Sequence, residues 1–247
     1  MADGSRRTLV AMLVVLIGVV LLIVSLFTPW YTTEASGDGI TASMNFYPGL
    51  PTTNGTIQYV CSGTGVPCPS STSYSDYGIN NTGRVAETGY FLIIAGIVFG
   101  LLAVILALLG RRKPGRGRAA VAVTIIAVIL AIAAPGAFAV ELPHAISQDY
   151  PGATGTGPWS SFFGSNSTTE SGFTLTSTWG PAIGWYLSIG AFVVLWVGVI
   201  LLLRQRKEPV ETASVPPQVA TSSNLPGAPT MPAAPGLPPP PPMPPGS

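Results

Sequence analysis

Few residues in this chain could do chemistry. There is one histidine and there are two cysteines among 247 residues. His144 follows Pro143, with Glu141 before it and Asp149 after it. An imidazole between carboxylates is the raw material of an acid/base pair or a metal site. A site needs more convergent groups than these, so the preferred reading is a solvated loop, with no catalytic residue, cofactor or metal. Cys61 and Cys68 are separated by a short segment bent at Pro67. A reactive thiol would need a neighbouring base, and a metal would need further ligands. The pair therefore reads as a local disulfide, contributing about 2.5 kcal/mol in the chain-entropy model. At the far end, Pro238, Pro239, Pro240, Pro241 and Pro242 form a tract of extended polyproline II character. It is either a ligand for an aromatic groove of the SH3, WW, EVH1 or profilin type, or only a tether.

The elements that must carry these residues are set by composition. Hydrophobic residues make up 47% of the chain and charged residues 9%, against roughly 25% charge in an ordinary soluble domain. A large soluble enzyme is excluded, and a net charge of +1 excludes a generally basic nucleic-acid binder. Four charge-free apolar runs, 9–27, 89–110, 119–140 and 182–203, are each long enough to cross a hydrocarbon core about 30 Å thick as a helix. The first is longer than a signal-peptide core, and no A-x-A-like cleavage site follows Phe27.

Between the spans lie an N-terminus (1–8), loops 28–88, 111–118 and 141–181, and a tail (204–247). Arg6, Arg7, Arg111, Arg112, Lys113, Arg116, Arg118, Arg204, Arg206 and Lys207 fall in the N-terminus, short loop and tail, whereas the two long loops hold Arg84 alone. The positive-inside rule makes both termini and the short loop cytoplasmic, in a plasma or cytoplasmic membrane. The short basic loop also suits contact with anionic lipid headgroups. The outer loops carry Glu34, Asp38, Asp76, Glu87, Glu141, Asp149 and Glu170, a face that attracts cations weakly. Trp30, Tyr31, Tyr90, Trp179, Trp185 and Tyr186 sit at outer span ends, as an aromatic belt would. The sequons at Asn54, Asn80 and Asn166 are also outside, open to N-glycosylation although chance produces such triplets in Ser/Thr-rich loops.

The outer loops alternate as strands do. Ile40, Ala42, Met44 and Phe46 share a face, Ile57 and Tyr59 precede Cys61, Asn54-Gly55 supplies a turn, and Phe173, Leu175 and Ser177 lead toward Trp179. One small antiparallel sheet built from both loops is expected, with 70–83 as an exposed, mobile connection. Within the spans, Gly96 and Gly100, and Gly184 and Ser188, place small residues on one helix face, for packing within the bundle in preference to a dimer seam. Pro135-Gly136 should kink or end the third span. No span contains an ionisable side chain, which disfavours secondary transport and proton pumping.

Trp30 after the first span, then Gly49-Leu50, then Cys61 and Cys68, then Arg84 ahead of the second span together resemble the first extracellular loop of claudins and related four-span proteins. The likeness spans 1–203 as topology and a handful of positions as motif. Pro51 stands where claudins carry a second Trp, and the terminus Pro245-Gly246-Ser247 is unlike their PDZ-binding end. The resemblance implies an all-α membrane bundle of four transmembrane helices, left-handed, under a small extracellular antiparallel β-sheet. Trp30, Gly49, Leu50 and Arg84 would anchor that sheet; the Pro-rich tail, too polar to bury a core, is expected from its own composition to be disordered. The function expected is non-enzymatic: contact through the outer sheet with another membrane protein or a second copy, in membrane lipid, with cytoplasmic recruitment by the tail. A cation-favouring pore or an accessory subunit of a larger complex are the alternatives.

Overall fold

The computed structural model describes residues 2–63, 70–110, 114–170 and 173–204. The Pro-rich segment 204–247 beyond Arg204, including Pro238 to Pro242, lies outside them, as does Cys68. Four helices are long and apolar enough to cross a membrane: α1 (Ala2–Leu26), α3 (Asn80–Gly110), α4 (Pro114–Asp149) and α5 (Ile183–Arg204). Between α1 and α3 lie β1 (Tyr31–Gly37), β2 (Ile40–Phe46), β3 (Ile57–Ser62), β4 (Ser71–Thr72) and the one-turn α2 (Tyr74–Tyr77). β5 (Gly164–Glu170) and β6 (Phe173–Pro181) separate α4 from α5. α1 packs on α3 and α5, and α4 packs on the same two, so the bundle closes as a ring.

Small residues make that ring tight. On α3 the buried positions Gly89, Ile93, Gly96, Gly100, Ala103 and Ala107 alternate in steps of four and three, the heptad spacing of left-handed packing. Gly96 faces Leu22 and Leu130, Gly100 faces Val19, and the Ser188 hydroxyl donates to the Trp185 carbonyl at 2.8 Å. With no hydrophobic drive between helices in lipid, such close approach is what holds them together. Gly184 is the most constrained of these residues. A Cβ there would stand 2.6 Å from Trp30 Cδ1 and 2.7 Å from the Thr28 carbonyl oxygen. Gly184→Ala should therefore lower stability by about 1–3 kcal/mol. Gly190→Ala, where a Cβ would meet nothing within 4 Å, should leave the melting midpoint in neutral detergent unchanged. Equal midpoints for the two variants would remove Gly184 from the packing seam.

Several expectations are corrected. The helix that carries the second apolar run starts not at Gly89 but at Asn80, and the helix that carries the third continues to Asp149, through Pro135, Gly136 and Pro143. At 1.5 Å per residue α3 and α4 reach about 46 and 54 Å, well past a hydrocarbon core. Hydropathy stops where polar residues begin, but the helices persist because they go on packing. Thr82, Gly83 and Ala86 are buried on α3, and Leu142, Ala145 and Ile146 on α4. Pro135 does not end its helix, flanked as it is by buried Ala131, Ala134 and Phe138, and its carbonyl accepts the Trp185 Nε1–H at 2.9 Å. His144 is accordingly on a helix and not in a loop.

The stretch 70–83 is not an exposed connection either. Ser73, Tyr74, Ile79 and Thr82 are buried, and the Tyr74 hydroxyl donates to the Tyr47 carbonyl at 2.7 Å. Its Ser and Gly content is capping chemistry. Ser73 Oγ accepts the Asp76 N–H at the start of α2, and Gly78 ends that turn at φ 84°.

All six strands form one antiparallel sheet in the order β4-β3-β2-β1-β6-β5, joining both loops through the β1–β6 pair. β1 and β5 were not legible as strands. β1 and β2 are joined by Asp38-Gly39, with φ of 46° and 80°, the two positive values that a two-residue type I′ hairpin turn requires.

Candidate functional site

Register places three rows of residues on one face of the sheet. Nearest the bundle, Ile57, Phe46, Tyr31 and Pro181 are aligned across β3, β2, β1 and β6. Next come Tyr59, Met44, Thr33, Trp179 and Gly164, and beyond them Cys61, Ala42, Ala35, Ser177 and Asn166. The first row is sealed: Tyr31, Phe46 and Ile57 are buried, with Tyr31 packed on Phe46 and Phe162 and Phe46 stacked on Tyr74. A cavity of about 850 Å³ opens at the outer two rows, lined by Tyr59, Met44, Thr33 and Trp179 of the second and by Ala42, Ala35, Ser177 and Asn166 of the third. Its other walls are Ile79 just before α3, Thr82 of α3, Ile146 and Asp149 of α4, and the segment 150–159 ending at Trp159. The volume is that of a small-molecule site, and the walls are mostly apolar or aromatic.

Asp149 ties the two long helices together at the cavity floor. One carboxylate oxygen accepts from the Asn81 backbone N–H (3.0 Å) and Nδ2 (2.9 Å); the other accepts from the Thr82 N–H (2.8 Å) and Oγ1 (2.7 Å). The acid thus caps the N-terminus of α3 from a different helix, satisfying donors that a helix start leaves open. His144 takes no part. It is exposed one turn back, and its Nε2 lies 2.9 Å from Gln148 Nε2.

Tyr59, Tyr77 and Tyr150 line the same cavity. Burial first, then the neighbouring Tyr77, holds the Tyr59 hydroxyl well above its ordinary pKa and pushes Tyr150 up to about 12. Both stay neutral through the physiological range. The Trp159 Nε1–H, buried at the wall, has no hydrogen-bond partner among the described residues, and neither does the Tyr31 hydroxyl beneath the first row.

The anchor residues read from the sequence part company. Trp30 is fully buried between sheet and bundle: its Nε1–H donates to the Ser25 carbonyl at 2.9 Å, its ring meets Phe138 edge-on, and Gly89 and Gly184 leave room for it. Gly49 is buried against Thr56. Leu50 and Arg84, by contrast, are exposed. The helix contact nearby belongs to Pro51, which packs on Gly83 of α3. Cys61 lies on β3 in the outermost of the three rows. Of the sequons, Asn54 is exposed in its turn, Asn80 is the exposed first residue of α3, and Asn166 lines the cavity. Asp149, Tyr77, Tyr150 and Trp159 were not singled out by the sequence as members of one site, since nothing local joins positions so far apart along the chain.

Set against known proteins, the chain matches no family model and no curated sequence.

Proposed function

We propose that this is a non-enzymatic multi-pass membrane protein that contacts another protein through the uncovered edge of its sheet. The observation that carries the proposal is β5. All seven of its residues pair with β6 on one side, and among the described residues no strand pairs on the other. Such an edge presents unpaired N–H and C=O groups to an added strand. The sequence Gly-Ser-Asn-Ser-Thr-Thr-Glu has neither the lysine nor the proline with which edges are commonly blunted.

Charge supports an extracellular sheet and cytoplasmic termini. The described Arg6, Arg118 and Arg204 belong to helix ends remote from the strands, and Arg84 alone stands at the sheet end. Exposed Tyr186 and half-buried Trp185, at the start of α5, suit the outer interface. The claudin-like relationship is part of the same proposal, supported by the Trp30 socket under a sheet drawn from both loops. So is a Cys61–Cys68 staple on β3, with the tail as tether or cytoplasmic ligand. The pore alternative has less support: of Glu34, Asp38, Asp76 and Glu87, Glu34 alone borders the cavity.

Photo-crosslinkers placed at Ser165 and Ser167 test the contact in intact cells. Discrete crosslinked species are expected from both sites, and they should vanish when Thr168→Pro and Thr169→Pro block the edge in turn, while a crosslinker at Asn54 is unaffected. Yields at β5 no higher than at Asn54 would dismiss edge contact.

A further inference from the structure

We infer that the cavity beneath the sheet binds an amphiphilic organic cation, such as an alkylammonium, drawn from the aqueous side. Three observations converge on it, none of which depends on the β5 contact.

The first is shape. About 850 Å³ enclosed by Met44, Ile79, Ile146 and Trp179 is large enough for a small molecule and apolar enough to hold its body. The second is charge. Among the described residues no lysine, arginine or histidine borders the cavity, whereas the carboxyl groups of Asp149 and Glu34 do, so an anion entering would lose water and meet no counter-charge. The rings of Tyr59, Tyr77, Tyr150 and Trp159 add the aromatic faces to which ammonium groups are attracted. The third is height. Thr82 lies seven residues before the apolar run at Gly89, and Asp149 nine after the one ending at Val140. At 1.5 Å per residue the floor sits about 10 Å or more above the hydrocarbon edge. A lipid seated in the bilayer would have to rise out of it to fill the cavity. A dissolved cation would not.

Full-length protein in an uncharged maltoside detergent provides the test, with hexyltrimethylammonium, hexanol and hexanoate as probes sharing one chain. Titration calorimetry should show saturable binding of hexyltrimethylammonium, at least about tenfold tighter than hexanol or hexanoate, a difference of 1.4 kcal/mol or more. Ala42→Trp puts bulk into the opening at an exposed position of β2 and should abolish that binding. Ala153→Trp does the same from the facing segment and covers the case in which the first variant fails to fold. Hexanoate binding as tightly as the cation, no saturable binding at all, or wild-type binding by a folded variant would each overturn the inference. Displacement at similar concentration by dihexanoylphosphatidylcholine would assign the site to a lipid headgroup and overturn the free-cation source.

Discussion

Trp30→Ala should cost this protein about 3–5 kcal/mol, the range for truncating a buried aromatic. Trp30 has no exposed surface, and its position is fixed from three directions. Its backbone belongs to the sheet layer, since its N–H donates to the Phe46 carbonyl and its carbonyl accepts the Ala182 N–H. Its indole belongs to the bundle, where the N–H reaches Ser25 near the end of α1 and the ring meets Phe138 of α4. Truncation removes all of the bundle side at once. It also leaves the Ser25 carbonyl, near a helix end where carbonyls lack intrahelical partners, without its indole donor. Trp30→Phe restores much of the ring packing but not that hydrogen bond, so it should fall between wild type and alanine. Trp196, about half exposed on α5, is the control: Trp196→Ala removes the same side chain from a face meant for lipid. Thermal unfolding in one detergent should separate them widely, and a Trp30→Ala midpoint equal to that of Trp196→Ala would end the idea that Trp30 joins the two layers.

The spans and their packing faces were legible because the chemistry behind them is local. A charge-free run of 19 to 22 residues is long and apolar enough to cross a membrane, and Gly96 and Gly100 four apart define a face whatever lies opposite. Strands β2, β3 and β6 could be found because one of their faces is apolar. β5 could not, since Ser165, Asn166, Ser167, Thr168 and Thr169 are polar on both faces and are held as a strand by β6. β1 is a different case. The Asp38-Gly39 turn that ends it is among the strongest hairpin signals a sequence can carry, but Tyr31 to Gly37 holds too few apolar residues to mark the strand before it. The cavity was beyond reach altogether, because Asp149 and Thr82 are 67 residues apart and meet only after α3 and α4 have both outrun their apolar segments.

That meeting carries the second large effect. Asp149→Ala should destabilise the sheet end of the bundle by about 2–4 kcal/mol. Loss of a single N-cap typically costs about 0.5–2 kcal/mol. Here one carboxylate serves two backbone and two side-chain donors, and Thr82 is buried, so its freed groups cannot turn to water. Asp149→Asn keeps one acceptor oxygen but loses the charge and should retain part of the stability. The effect should also be local. Amide exchange should quicken at the first turn of α3 and the last turn of α4, where those donors were held, and remain unchanged in the middle of α5, which Asp149 does not touch. A double-mutant cycle with Thr82→Val isolates the hydroxyl contact, and a coupling of at least about 1 kcal/mol is expected for neighbours sharing a charge-assisted bond. If the two substitutions are additive and exchange at Asn81 and Thr82 matches wild type, Asp149 is not the cap that lets α3 begin at Asn80, and the extension of that helix beyond its apolar run must be held by packing on α4 alone.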